Sequence, residues 1–490
     1  MERADSRKSW ASGAAVGLAI VLALTLSWRA TGLYGLGVDG DAAWTLSAGS
    51  SLAQGGGLVT CLGEVFSLWP PLYPLSMAAL ETVGLDVLGS LRVLQLIALA
   101  LSIALAARLA WNLSGSHVAA VATAGSLALS TRMHEYTVQV VSESFFQPLV
   151  LGSLLVALAL AERFTRGRFV ALVVLSALAC LQRYLGVALV ASIALFFVVS
   201  PSWGSFVSRL KRVAAFGALA LAPLALWFLR NRLVEDKWTG GRDETPVSLG
   251  EALQAAWGTL VGWAGPAHLP ASVGGIFVVV GALLLAGFTL RQPQARRAVL
   301  LLVLFSAVYV TLLVGMAANV VIDPIGDRLM LPLLPVLVAL VWSALLGTWR
   351  TPTWLAGALV AAFWLDALPR TAERIDFWRR EGAGGFHTRL WQEHPVTLAL
   401  REVELVQPIW SNGAELVWLE RGERAHFLRG GAKAWERAAK ESAAAGGGTL
   451  LWFQDKGRPA ANLDALEAHV QVRELVKVPD GLLLRLQPRP

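Results

Sequence analysis

The amino-acid sequence predicts a mainly α-helical protein: a polytopic transmembrane helical bundle of about eleven spans with a small C-terminal α/β domain. Three observations carry this. Hydrophobic residues make up 56% of the 490 positions and charged residues only 15%, against roughly 25% charged in a water-soluble domain. Apolar, charge-free runs of about 14 to 21 residues recur through the first three quarters of the chain, the length that crosses a hydrocarbon core. After Arg370 the composition changes, and apolar runs of strand length alternate with helical patterns and Gly-rich breaks.

A soluble enzyme is thereby excluded. The 41 Lys and Arg against 34 Asp and Glu leave a charge of +7, yet no nucleic-acid partner follows, because many basic residues sit in short loops between apolar runs and act there as orientation signals. The two cysteines, Cys61 and Cys180, stand in no CxxC or Cys/His spacing, so neither a structural zinc site nor a disulfide framework is indicated.

The first run, residues 11–28, follows Arg3, Arg7 and Lys8 and fits the start of a signal peptide too. No small-residue cleavage site follows, so a retained span is expected. Further spans are expected at 92–111, 117–131, 144–161, 168–182, 184–200, 213–229, 272–290, 298–318, 329–349 and 353–366. The basic loops 162–168, 201–212 and 291–297 belong in the cytoplasm by the positive-inside rule, with the N-terminus. Loops 29–91 and 230–271, and everything after about 367, then belong outside. Two domains are expected: a membrane domain, 1–369, whose outer loop 29–91 carries the chemistry, and a soluble extracytoplasmic α/β domain, 370–490. In the latter, 408–411, 449–453, 470–478 and 482–486 read as strands, with helices near 413–420, 432–444 and 461–468. Its first expected role is support of the outer loops.

Ionisable residues at membrane depth cost roughly 2.5 to 3.5 kcal/mol at a span centre, so they mark function. Here they gather on the expected outer side, among them Glu64, His134, Glu135, Asp323 and Asp327. Asp39-Gly40-Asp41 precedes a short helix expected at 42–53, which ends in Gln54-Gly55-Gly56-Gly57. One such Asp serves as a helix cap; two, facing arginine-rich loops, point to a general base. Trp69-Pro70-Pro71-Leu72-Tyr73-Pro74 is stiffened by its prolines, and its aromatic residues suit the headgroup level, either as an anchor or as the start of an interfacial helix reaching about residue 85. Arg183-Tyr184, Arg230-Asn231, Gly241-Arg242 and the stretch from Asp323 to Arg328 lie at outer span ends. Planar guanidinium groups match phosphate oxygens; ion pairs with Glu143 or Asp327 are the alternative use.

In order along the chain, Asp39-Gly40-Asp41-Ala42-Ala43-Trp44 with the glycine run, Trp69 to Pro74, Ser142-Glu143, Arg183-Tyr184 with Gly186, Arg230-Asn231, Gly241-Arg242 and Asp323 with Arg328 and Pro332 resemble the GT-C membrane glycosyltransferases of the family 39, ArnT-like and RgtA-like type. Ser411-Asn412-Gly413 resembles a segment often found in their tails. The resemblance implies a polyprenyl-phosphate-linked sugar donor taken from the outer leaflet and an extracytoplasmic glycan, lipid or protein as acceptor. It also implies a bacterial plasma membrane. An Asp of the first outer loop is the family's general base, which makes Asp41 or Asp39 the catalytic residue. Gly40-Asp41-Ala42 departs from the commonest Asp-Glu-Ala form, and Asp41 is favoured because it sits where that form has its Glu. Arg183, Arg230, Arg242 and Arg328 are then the donor-phosphate ligands, and Trp69, Tyr73, Glu143 and Tyr184 substrate contacts. Asp39, Asp41 and Glu143 offer oxygen ligands for a divalent metal ion, which some members carry and others lack.

The chemistry needs few parts: a carboxylate to take the acceptor's proton and cations to stabilise the departing phosphate. A single displacement inverts the anomeric carbon. A lipid-linked sugar transporter would instead line a path through the bilayer with ionisable residues, and a non-catalytic glycolipid-binding protein would tolerate loss of both aspartates.

Overall fold

The computed structural model describes residues 2–200, 204–241, 244–264, 270–347, 353–428, 431–454 and 463–489. Each expected apolar run is mainly helical among the described residues. Among the described residues seven helices are long and apolar enough to cross a membrane: Trp10–Ala30, Val87–Ser114, Glu143–Glu162, Phe206–Glu235, Ala271–Arg291, Pro293–Ala317 and Asp327–Gly347. His117–Ala128 and Gly186–Val199 are shorter apolar helices, and Arg166–Gln182 has 17 residues. The protein is a multi-pass membrane protein.

Departures from expectation have local causes. The run at 117–131 stops at Ala128, because Ser130 caps a second helix, Thr131–Thr137, with its hydroxyl accepting the Met133 N–H. The run at 353–366 continues through Pro369 to Glu381 as one 29-residue helix. Loop 230–271 contains a helix, Leu249–Ala264, with a hydrogen-bonded Ser248–Glu251 start. Where helices pack closely, small residues make room: a Cβ on Gly125 would stand 2.0 Å from the Trp364 ring, and Trp342 donates its indole N–H to Ser126 Oγ at 2.9 Å.

The chain forms two compact units. One holds residues 1–30, 67–72 and 92–376; the other holds 31–66, 73–91 and 377–490. The second unit thus draws the expected first outer loop, apart from 29–30 and 67–72, into one body with the C-terminal segment.

That body is built on a five-stranded sheet of order β2-β1-β3-β5-β4, with β1 Ile409–Ser411, β2 His426–Phe427, β3 Gly448–Phe453, β4 Val470–Val478 and β5 Gly481–Pro488. β1 runs parallel to β2 and β3; β5 pairs antiparallel with β3 and β4. The apolar continuity of β3 follows from burial on both faces. Leu450 and Trp452 pack with Trp435, Ala439, Leu482 and Leu484 on one side. Leu451 and Phe453 pack with Val396, Leu400, Val417 and Leu483 on the other. The two-residue β2 and helix Pro395–Glu402 are too short for a periodic signal and escaped the sequence reading.

The first-loop segment lies against the residues that follow helix Thr353–Glu381. Val38 bridges Gly385, and its carbonyl accepts the Phe386 N–H at 2.7 Å. His387 Nδ1 donates to the Leu36 carbonyl at 2.9 Å. Gly385 has φ +62°, and a Cβ there would stand 1.9 Å from the Val38 carbonyl oxygen. Only glycine satisfies both conditions. Gly385→Ala is therefore expected to destabilise this unit by at least about 2 kcal/mol, read as a fall of several degrees in apparent Tm of the detergent-solubilised protein; an unchanged Tm would contradict the packing.

Burial lowers the His387 pKa below its usual value, against the raising effects of the Leu36 carbonyl and Glu420. The unfolded chain then takes up the proton first. Stability from this site is complete above about pH 6.5 and declines as the pH falls below it. His387→Gln, which keeps a donor for Leu36, is expected to flatten that acid-side decline in a pH series of thermal unfolding curves.

Candidate functional site

In the first unit one carboxylate organises the polar residues. Glu143 opens helix Glu143–Glu162 and is fully buried. Its Oε1 meets Arg183 Nη1 at 2.6 Å and Arg328 Nε at 2.7 Å. Arg183 ends helix Arg166–Gln182, and Arg328 lies in the short helix Asp327–Met330. Arg183 Nη1 also donates to Ser142 Oγ at 2.9 Å, and Arg328 Nη1 to Asp323 Oδ2 at 2.8 Å. An isolated carboxylate would lose several kcal/mol of hydration here, and the two guanidinium groups offset that loss. Among the described residues, Arg183 meets both Glu143 and Ser142 through Nη1.

Flanking contacts fix the same corner. Gln147 donates to the Leu331 carbonyl at 3.2 Å and Tyr309 to the Leu329 carbonyl at 2.8 Å. Beside it, Asp327 Oδ1 accepts from Arg132 Nε at 2.9 Å and from the Trp263 indole at 2.5 Å. His134 Nε2 donates to the Ala128 carbonyl, and Nδ1 is hydrogen-bonded with Ser27 Oγ, both at 2.8 Å.

A second group converges on the residues just before the Trp-Pro-Pro segment. The Ser67 carbonyl accepts from Tyr184 Oη at 3.1 Å and from Asn231 Nδ2 at 3.3 Å, and the Ser67 hydroxyl binds the Glu235 carboxylate. The Trp227 indole donates to Tyr184 Oη at 3.2 Å, and the Arg230 guanidinium lies 4.8 Å from the Trp227 ring centre. Gly240 closes the group; its φ is +71° and a Cβ would meet Ser67 Oγ at 3.0 Å. Trp69 is half-buried in this segment.

In the second unit Asp39 caps helix Gly40–Ala53, its Oδ1 accepting the Ala42 N–H at 2.8 Å. Asp41, half-buried, stands in the first turn. Tyr73 lies in helix Leu72–Thr82 and is only 5% exposed. Burial pushes the Cys61 thiol up to about 12, so it stays protonated and inert.

The structure brings together Glu143, Arg183 and Arg328, and separately Tyr184 with Arg230 through Trp227. Asp39, Asp41 and Tyr73 belong to the other unit. Arg242 lies outside the described residues. No three His, Cys, Asp or Glu side chains converge as metal ligands among the described residues. Sequence reading missed Trp227, whose signal is its place one helical turn before Arg230. It also missed Glu415, which accepts the Trp44 indole N–H at 3.1 Å, and no pattern links two residues so far apart.

The model of the family described as dolichyl-phosphate-mannose-protein mannosyltransferase matches residues 69–227. No curated protein sequence matches significantly. Among solved structures, ArnT from Cupriavidus metallidurans bound to undecaprenyl phosphate is similar at a TM-score of 0.65 and 12% identity, over 96% of this chain and 97% of that one. Its apo state gives 0.61 and 13%, over 97% and 98%. The apo oligosaccharyltransferase of Archaeoglobus fulgidus gives 0.51 and 11%, over 89% of this chain and 69% of that chain. The fold is that of ArnT.

Removing the central acid leaves two guanidinium groups facing each other without their shared partner. Glu143→Ala is expected to destabilise the first unit by about 3 kcal/mol, at the low end for a broken buried pair because both arginines retain some solvent. Arg183→Ala should cost less, since Arg328 keeps Glu143 paired. Thermal inactivation of the purified variants checks the order.

Proposed function

We propose that this chain transfers a sugar from a polyprenyl-phosphate donor to an acceptor on the extracytoplasmic side of a bacterial plasma membrane, the acceptor being a glycan, lipid or protein hydroxyl. The observation that carries the reading is the fold match along nearly the whole chain to a protein that binds undecaprenyl phosphate. The basic loops, with the N-terminus in the cytoplasm, support the orientation.

Asp41 is the general base. The capping bond occupies one oxygen of Asp39, whereas Asp41 rides in the first turn of the same helix. Asp41 takes the proton of the acceptor hydroxyl as that oxygen attacks the anomeric carbon. The bond from that carbon to the phosphate oxygen breaks, and the electron pair leaves with the polyprenyl phosphate. No general acid is needed. Arg183, Arg328 and Arg230 stabilise the charge that builds on the leaving phosphate; Arg242 joins them on the sequence reading. Glu143 holds Arg183 and Arg328 rather than the sugar, and Tyr184 orders the segment that carries Trp69.

The test is a reconstituted transfer assay with a panel of undecaprenyl-phosphate-linked pentoses and hexoses. Asp41→Asn is expected to lose about 10²- to 10⁴-fold in kcat. Asp39→Asn, which retains a capping side chain, should lose far less. The reverse order would transfer the role to Asp39, full activity in both would remove the base, and movement of intact lipid without cleavage would make the protein a transporter. The product linkage is expected to be inverted; a retained configuration would exclude single displacement.

A further inference from the structure

The C-terminal segment carries one buried acid that the reaction above does not use. Glu415 stands in the first turn of helix Ala414–Arg421 and is 7% exposed. Its Oε1 accepts the Trp44 indole N–H at 3.1 Å. The same oxygen lies 3.8 Å from the place a Cβ would take on Gly40, so it faces the start of helix Gly40–Ala53, between Asp39 and Asp41 in the chain. The two helices pack against each other.

A buried carboxylate is costly, and among the described residues the Trp44 indole is the donor that meets this one. Here the N-terminal ends of both helices compensate part of that cost. Asp41 and Trp44 are three residues apart and share one face of their helix. A rotation that releases the indole therefore swings the Asp41 carboxylate as well.

We propose that Glu415 is a positioning residue for sugar transfer: its grip on Trp44 fixes the rotation of helix Gly40–Ala53 and with it the direction of the Asp41 carboxylate. The proposal rests on the reading of Asp41 as the base. It gives the C-terminal segment a part in the turnover step beyond its support of the fold. Displacing a catalytic group by about 1 Å costs on the order of 10²-fold in rate, so a loosened helix is felt in kcat and not in the affinity for the donor.

The full-length protein in nanodiscs decides the matter. Glu415→Ala and Trp44→Phe are each expected to lower kcat by about 10-fold or more with the donor KM within about twofold of wild type. The double variant should be no worse than either single one, because both break the same contact. Glu415→Gln keeps an oxygen for the indole and is expected to recover most of the lost kcat. Hydrogen exchange of the amides of 41–53 should quicken in Glu415→Ala and return in Glu415→Gln. Losses that multiply in the double variant, an unchanged kcat in folded Glu415→Ala, or unchanged exchange in this helix would each overturn the proposal. A wild type that transfers no sugar would instead defeat the transferase reading, and the exchange data would still show whether Glu415 holds the helix.

Discussion

A single buried carboxylate, Glu143, is the constraint on which the polar half of the membrane unit depends. It begins a membrane-spanning helix, has no exposure to solvent and is met by two guanidinium groups from two other elements. A charge in that position is tolerated only with its partners in place. The end of helix Arg166–Gln182 and the turn before Leu331 are thus drawn to the same point. Gln147 and Tyr309 then secure the turn by its carbonyls. Packing alone would leave these helix ends free to slide, because lipid and leucine are equally apolar. The alternative weighed for the arginines, ion pairing with Glu143, is realised in both Arg183 and Arg328.

The second unit solves a different problem. A loop of the length of 31–66 has too little apolar surface to hold its own shape. Here it is held from outside, by a backbone bridge at Val38, a histidine at Leu36 and an indole–carboxylate contact at Trp44. The partners all come from residues 383–415 and rest on a sheet covered by helices on both faces. Asp39 and Asp41 consequently owe their placement to a part of the chain more than 300 residues away in sequence.

Much of this was readable beforehand, for identifiable reasons. Hydrophobic runs of span length become helices because the bilayer permits little else. The strands at 449–453 and 470–478 were legible through their apolar density and the glycines that bound them. The capping use of Asp39 was one of two roles its position allowed. The break at Ser130 was foreshadowed by a hydroxyl inside an apolar run, a signal outweighed by hydropathy. Helix Leu249–Ala264 was hidden in a loop named for its flanking charges. Glu415 and His387 could not be read at all, since pairing between residues some 350 positions apart leaves no local periodicity. The Ser67 group was half legible: Tyr184 and Asn231 stood out beside arginines, while the carbonyl they share is invisible in any sequence.

The chain order of these contacts has a consequence for biogenesis. The ribosome delivers Val38 and Trp44 early, and Gly385, His387 and Glu415 only after the membrane helices have been threaded. Until then the aspartate-bearing stretch has no mould to set in. A nascent or truncated polypeptide accordingly lacks these contacts, and they arrive with the late-made segment that clasps the early one.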